Sequence, residues 1–144
     1  MTDNRSFTLV RTLPATPDRV WRAWTDPAVM SQWMHPGGVV TPRESVSAEP
    51  VVGGRYTYTM VNEATRKEYP TGGRYLELDE PRRLVCTWGA PDADVESTPR
   101  VSVDLEAYDG GTRMTFTCGI DAGPGDEIHD AWAEALDNLE AALQ

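Results

Sequence analysis

The C-terminal segment, residues 125–144, contains the pattern that most constrains the fold of this chain. Its apolar side chains recur every three or four residues, which places them on one face of a single α-helix of about 18 residues. Asp126 is predicted to cap this helix, because its carboxylate can accept free amide N–H groups and is favoured by the helix dipole. A long helix with one apolar face needs a broad apolar surface to cover it. The residues of that face are Ile128, Trp132, Leu136, Leu139 and Leu143.

The middle of the chain is predicted to supply this surface, because it consists of short stretches with period-two alternation. In residues 55–61, for example, Tyr56, Tyr58 and Met60 share one face of a predicted strand. Turn residues such as glycine, proline, asparagine and aspartate separate these stretches. The predicted strands cover residues 7–13, 43–49, 55–61, 73–79, 84–88, 101–105 and 112–118, and the main predicted loops cover 62–70 and 89–99.

Two short helices are predicted between the first strand and the others. Thr16-Pro17 and Asp26-Pro27 each place a capping residue before a proline, which fits the first position of a helix. The order of one strand, two short helices, about six strands and one long helix predicts an α+β fold with an antiparallel sheet. At 144 residues we expect a single domain spanning residues 1–144.

The composition argues against several classes of partner. Residues 92–144 carry 2 basic and 13 acidic groups, within a net charge of −10 for the whole chain. This acidic segment repels phosphate backbones and anionic lipids, so we expect neither nucleic acid nor a membrane as partner. No apolar run has the length of a membrane span, and the N-terminus lacks the apolar core of a signal peptide. Because Cys86 and Cys118 are the only cysteines, we expect reduced thiols in a cytoplasmic protein.

Short motifs follow one another along nearly the whole chain. They are Pro17-Asp-Arg-Val-Trp-Arg-Ala-Trp-Thr-Asp-Pro27 with Trp33, Gly53-Gly54, Leu76-Glu-Leu-Asp-Glu-Pro-Arg-Arg-Leu84 with Thr87-Trp88, Gly111-Thr-Arg-Met-Thr-Phe-Thr117, and Trp132-Ala-Glu-Ala-Leu-Asp-Asn-Leu139. Over residues 7–143 their combination resembles the family named after the activator of Hsp90 ATPase, within the START/Bet v 1-like (SRPBCC) superfamily.

The resemblance implies the helix-grip fold, in which a seven-stranded antiparallel sheet wraps on a long C-terminal helix and leaves a cavity between them. The superfamily includes lipid and hormone binders, polyketide aromatases and cyclases, and self-sacrificing resistance proteins, so the fold alone leaves the function open. Family members commonly have an aromatic residue after the Trp33 position and a histidine at the end of strand 112–118. This chain has Met34 and Cys118 there, so a function that needs that histidine is not implied.

Strand alternation predicts a hollow whose apolar lining faces the helix, which is typical of a small-molecule site. The alternative is that the same side chains simply fill the core. We expect a hydrophobic or aromatic small molecule as the ligand and a monomer or homodimer as the assembly. Neither a metal nor a cofactor is expected, since the chain has two histidines and no CxxC motif. The candidate ligand-binding residues are Trp33, His35, Tyr56, Tyr58, Met60, Glu77, Trp88, Met114, Phe116, Cys118, His129 and Trp132.

Three titratable residues among these candidates have alternative placements. If the strand alternates strictly, Glu77 faces inward with Tyr75 and is a pKa-shifted anchor or base, whereas in the opposite register it is solvated. His35 follows the second short helix and either lines the cavity mouth or is exposed. His129 lies near the start of the long helix, where the dipole disfavours a charged imidazole, and it too is either pocket-facing or exposed.

Two other functions are compatible with this sequence. A cofactor-free cyclase, aromatase or hydrolase would use Glu77 or a histidine as general base, although neither histidine has a nucleophile close in sequence. A protein-interaction module, comparable to a co-chaperone, would dock through the acidic face of the C-terminal helix. No catalytic residue is therefore assigned, and ligand binding remains the leading hypothesis.

Overall fold

The computed structural model of the protein describes residues 6–94, 98–119 and 125–144, without the side chains of residues 125–127. The predicted cap Asp126 is one of those three, so its capping contact lies outside the described residues. The elements in chain order are β1 (Ser6–Leu13), α1 (Pro17–Thr25), α2 (Pro27–Trp33), β2 (Val39–Val40), a 3-10 turn (Arg43–Ser45), β3 (Ser47–Ala48), β4 (Arg55–Asn62), β5 (Glu68–Asp79), β6 (Arg83–Thr87), β7 (Arg100–Tyr108), β8 (Gly111–Gly119) and α3 (Gly125–Ala142).

The strands form one antiparallel sheet in the order β1-β8-β7-β6-β5-β4, and β2 and β3 both pair with β4 at its far side. Because β2 and β3 meet opposite ends of β4, they act as one interrupted edge strand and give the sheet seven positions. β5 changes partner along its length: residues 68–74 pair with β4, and residues 75–79 pair with β6. This confirms the predicted α+β helix-grip fold, with the curled sheet facing the C-terminal helix.

The two short helices begin as predicted, at Pro17 and Pro27. The Asp26 side chain caps the second helix, with Oδ1 accepting a hydrogen bond from the Ala28 amide at 2.9 Å. Thr16 occupies the corresponding position before the first helix, but its side chain makes no capping hydrogen bond. No helix among the described residues is long and apolar enough to cross a membrane.

The core lies where α3 packs against the concave face of the sheet. Trp132, Leu136, Leu139 and Leu143 are buried, which confirms four residues of the predicted apolar face. They meet the inward side chains of β7 and β8, including Phe116, so the helix supplies one wall of the core and the sheet the other. Burying one leucine or phenylalanine side chain stabilises a fold by roughly 1.5–3 kcal/mol, so this stripe is a principal stabilising element.

Two predicted boundaries are wrong. Residues 43–49 contain a 3-10 turn and the two-residue strand β3, because Ser45 bonds locally to the Pro42 carbonyl instead of joining a ladder. The predicted loop 62–70 is shorter, because β5 begins at Glu68 and includes Pro70. This part of β5 pairs only with β4, and a proline is tolerated in a strand that has one unpaired side.

Candidate ligand-binding site

A cavity of about 260 Å³, here called the outer cavity, lies between α3, β4 and the segment after α2. The described side chains around it are mainly apolar and aromatic, and none of these carries a full charge. An apolar enclosure with a few polar groups is the usual composition of a small-molecule site. Its lining consists of Met34, His35, Pro36, Tyr58, Met60, Trp88, Ile128, Ala131, Trp132 and Ala135.

Helix α3 forms one wall of the outer cavity through helical periodicity. Ile128, Ala131, Trp132 and Ala135 are spaced three and four residues apart, so they lie on one face of the helix. The two alanines lie one turn apart and extend little beyond the helix backbone, which leaves space between the larger neighbours. The cavity therefore exists because small residues interrupt the apolar face that otherwise packs on the sheet.

Strand β4 forms the opposite wall through alternation, which brings Tyr58 and Met60 to the same face. The Tyr58 hydroxyl accepts a hydrogen bond from Trp88 Nε1 at 2.9 Å, so the two rings fix each other's orientation. Burial raises the pKa of Tyr58, which keeps its hydroxyl protonated across the physiological range. This pair therefore supplies a neutral polar group within an otherwise apolar lining.

His35 lies at the outer cavity. Its carbonyl accepts a hydrogen bond from Asn138 Nδ2 at 2.9 Å, and a second hydrogen bond fixes its ring. Its Nδ1 is 3.2 Å from Thr41 Oγ1, whose own proton is donated to the Met34 carbonyl at 3.0 Å. Since a hydroxyl has one proton, Nδ1 must donate to Thr41, and in the neutral ring Nε2 is left as an acceptor. Burial lowers the pKa of His35, and the negative charge of Glu63 opposes this to a smaller extent. The neutral imidazole is therefore the favoured form.

A second, much smaller cavity of about 20 Å³, here called the inner cavity, lies deeper between the sheet and the helices. Met34, Trp88 and Trp132 line both cavities and so form the boundary between them. The remaining residues around the inner cavity come from α1, α2 and four strands. They are Trp24, Met30, Tyr56, Tyr75, Leu84, Cys86 and Val101.

The outer cavity includes five of the predicted ligand-binding residues: His35, Tyr58, Met60, Trp88 and Trp132. Tyr56 lines the inner cavity only, where its hydroxyl donates to the Thr87 carbonyl. Sequence reasoning missed Met34, Pro36, Ile128 and the two alanines as lining residues. The available signal was the position of Ala131 and Ala135 beside the apolar helix face, which marks where that face leaves space.

Four predicted site residues are core residues and line neither cavity. Trp33 donates its Nε1 hydrogen to the Ala23 carbonyl at 2.8 Å, and its ring packs edge-on against Trp24 at 4.7 Å between centroids. Phe116 packs against Trp132 at 4.7 Å between centroids, and so supports a cavity wall from behind. Met114, Phe116 and Cys118 have the predicted parity in β8 but lie under the closed part of the sheet, whereas Trp33 belongs to α2. The four are Trp33, Met114, Phe116 and Cys118.

Glu77 lies on the outer face of the sheet, which agrees with the solvated alternative and places this candidate outside the site. Tyr75 pairs with Cys86 and Glu77 pairs with Val85, so β5 has one extra residue and strict alternation fails. The Glu77 carboxylate instead bonds to Arg83 Nε at 2.8 Å, and 54% of its side chain is exposed. Both alternatives for this strand assumed regular alternation, so neither described a strand that turns Tyr75 inward and Glu77 outward.

His129 also lies outside the two cavities. Its ring packs edge-on against Phe7 with 5.1 Å between centroids, and its Nδ1 is 3.2 Å from Asp130 Oδ1. With 43% of its side chain exposed, it belongs to the surface where α3 meets β1. Within the described ranges, no group of three or more histidine, cysteine or acidic side chains is arranged to hold a metal ion.

A sheet curled around a C-terminal helix, with an apolar hollow between them, defines a ligand-binding or interaction module. The family described as Activator of Hsp90 ATPase homolog 1-like protein matches residues 14–144, and the chain belongs to this family. This confirms the resemblance found in the sequence motifs. No curated protein matches the chain.

Solved structures agree with this assignment. A crystal structure of a Chromobacterium violaceum protein is similar with a TM-score of 0.85 and 30% identity, and the match covers 96% of each chain. The solution structure of an AHSA1-like protein from Aeromonas hydrophila has a TM-score of 0.80 at 20% identity, covering 96% of this chain and 91% of that one. The second likeness shows the fold alone.

Proposed function

We propose that this protein binds a neutral, largely apolar small molecule in the outer cavity. The observation that carries the proposal is an open cavity of about 260 Å³ with an apolar lining, built by alanines in the middle of a packing face. A cavity of about 150 Å³ is enough for benzene, so this one accommodates a ligand with two fused rings. A face evolved only for packing would have larger residues here, because filling a cavity stabilises a fold.

The electrostatics of the lining favour a neutral ligand. The described residues around the outer cavity include no lysine, arginine, aspartate or glutamate, and the favoured form of His35 is uncharged. A charged ligand would lose its hydration without gaining a partner of opposite charge. The polar groups available are the Tyr58 hydroxyl and the His35 ring, and these can orient a ligand without requiring it to be charged.

A cavity-filling variant tests this proposal. The Ala131→Leu variant places a larger side chain in the outer cavity while keeping a good helix former, so the helix remains intact. We expect indane, a bicyclic hydrocarbon, to cause saturable shifts in the NMR spectrum of the wild-type protein and to bind at least tenfold more weakly to this variant. The control is Ala141→Leu, which makes the same change at an exposed position of the same helix. Equal indane affinity in all three proteins contradicts the assignment of the outer cavity.

The enzyme alternative loses its main candidate, because Glu77 is on the outer face and cannot act as a base in either cavity. His35 remains as a titratable group at the outer cavity, but among the described residues no nucleophile apart from Thr41 is within hydrogen-bond distance of its ring. The geometry therefore supports binding better than turnover.

A further inference from the structure

The inner cavity has a feature that the proposed function does not use. Three buried polar atoms have no hydrogen-bond partner among the described residues: Trp24 Nε1, Trp132 Nε1 and the Tyr75 hydroxyl oxygen. All three residues line the inner cavity, and each is at most 5% exposed. Buried polar groups are nearly always paired in folded proteins, so three unpaired ones on residues that line one small space need an explanation.

Neighbouring polar groups of the same types are paired, which makes the three exceptions specific to this place. Trp33 Nε1 donates to the Ala23 carbonyl, and Trp88 Nε1 donates to the Tyr58 hydroxyl. The Tyr56 hydroxyl donates to the carbonyl of Thr87. The fold therefore provides acceptors for buried indole and phenol groups elsewhere in the same core.

The chemistry of the three atoms defines what they would recognise. An indole N–H can only donate a hydrogen bond, and a tyrosine hydroxyl can donate one as well. Burial raises the pKa of Tyr75, so its hydroxyl keeps its proton and remains a donor. A group that satisfies these atoms is therefore a hydrogen-bond acceptor, and the absence of a positively charged side chain in the lining favours an uncharged one.

The size and position of the inner cavity limit the acceptor to one atom. A volume of about 20 Å³ suits a single oxygen-sized group and is too small for a ring. Met34, Trp88 and Trp132 separate it from the outer cavity, and Met34 has a flexible unbranched side chain that can repack. For an oxygen attached to a ring in the outer cavity to enter the inner one, the Met34 side chain has to move aside.

We propose that the inner cavity is an acceptor subsite that receives the carbonyl oxygen of a neutral cyclic ketone whose ring system occupies the outer cavity. Trp24, Trp132 and Tyr75 donate hydrogen bonds to that oxygen. This inference rests on the proposed function and narrows its ligand class from apolar compounds in general to aromatic ketones and related carbonyl compounds.

Two probes that differ by one carbonyl group test the subsite. Indane and 1-indanone have almost the same shape, but the ketone is better hydrated and binds more weakly to a purely apolar site. We expect the wild-type protein to bind 1-indanone about tenfold more tightly than indane, which corresponds to a net hydrogen-bond contribution of ordinary size. In NMR spectra, the indole N–H signals of Trp24 and Trp132 move downfield with 1-indanone and not with indane.

The Tyr75→Phe variant removes one donor and keeps the ring. We expect the ratio of 1-indanone affinity to indane affinity to fall several-fold in this variant. Tyr108→Phe is the matched control, because Tyr108 is exposed and lies on β7 away from both cavities. In this control variant the ratio keeps its wild-type value.

The outcomes separate the subsite from the proposed function. If indane binds but 1-indanone is not preferred, or if the preference is unchanged in Tyr75→Phe, the acceptor subsite is overturned and the binding cavity stands. If neither probe binds, the proposed function itself is overturned. A preference that falls in Tyr75→Phe and persists in Tyr108→Phe supports the subsite.

Discussion

Three tyrosines face the space between the sheet and α3, and they differ in whether the hydroxyl group has a hydrogen-bond partner. The Tyr56 hydroxyl donates to the Thr87 carbonyl, and the Tyr58 hydroxyl accepts from Trp88. The Tyr75 hydroxyl is buried and has no partner among the described residues. The first two are parts of the fold, whereas the third is a polar group held without compensation, which is typical of a binding position.

This difference predicts that replacing tyrosine by phenylalanine affects the stability of the protein differently at positions 56 and 75. Tyr56→Phe should lower the free energy of unfolding by about 1–2 kcal/mol, because it removes a buried hydrogen bond and leaves a carbonyl without that donor. Tyr75→Phe should leave the ligand-free protein equally or more stable, because it removes an unsatisfied hydroxyl. Urea denaturation of both variants measures these changes. A loss of stability in Tyr75→Phe equal to that in Tyr56→Phe contradicts this assignment.

His35 predicts a dependence of stability on pH. Its pKa is lowered in the folded protein by burial, while the unfolded chain has the ordinary histidine value of about 6.5. Below that value the unfolded state binds the proton more readily, so the contribution of His35 is present above about pH 6.5 and is lost as the pH falls. We expect the stability difference between wild type and His35→Gln to shrink as the pH falls. A stability difference between these two proteins that stays constant as the pH falls below about 6.5 contradicts a lowered pKa for His35.

At the scale of elements, β5 connects the two parts of the sheet and explains where sequence reasoning succeeds and fails. The long helix and most strands were predictable, because apolar periodicity follows from burial on one face. The orientation of Glu77 was not predictable, because it depends on the extra residue in β5 between Tyr75 and Glu77. A one-residue shift reverses the faces of a strand, and nothing local in Tyr75-Leu76-Glu77 marks it.

The candidate site was partly predictable for a related reason. Strand alternation correctly identifies inward side chains, such as Tyr58, Met60 and Phe116, but it cannot tell a cavity wall from a filled core. That distinction depends on how much space the opposite helix leaves. Ala131 and Ala135 create this space, and they become meaningful only when the sheet is set against α3.

At Gly73, strands β5 and β6 lie too close together to leave room for a side chain. A Cβ atom at this position would overlap the Thr87 carbonyl oxygen, the same atom that accepts the hydrogen bond from Tyr56. We expect Gly73→Ala to lower the free energy of unfolding by about 1–3 kcal/mol, since backbone atoms cannot move aside without separating the strands. Thermal or urea unfolding measures this loss.

Gly119→Ala is the control for this prediction. Gly119 also lies in a strand, but the nearest atom to its added Cβ is 3.5 Å away, which is an ordinary contact. The control should therefore be close to wild type in stability. Equal losses in both variants would contradict the assignment of the Gly73→Ala loss to the close approach of β5 and β6.

In the molecule as a whole, the acidic side chains and the two apolar cavities are separated in space. The chain has a net charge of −10, concentrated in residues 92–144, yet no charged residue lines either cavity in the part of the chain that the structure describes. Asp130, Glu134 and Asp137 of α3 are exposed, while Ala131, Trp132 and Ala135 of the same helix line the outer cavity. One helix thus covers the core, keeps the surface acidic and leaves space for a neutral ligand.

The location of a bound ligand tests the central claim most directly. The chain has five methionines, of which Met34 and Met60 line the outer cavity, while Met114 is buried in the core outside both cavities. With methyl-labelled methionine, bound indane should show nuclear Overhauser effects to the methyl groups of Met34 and Met60 and none to Met114. Saturable binding without contacts to Met34 or Met60 would place the ligand elsewhere and contradict the outer cavity as the binding site.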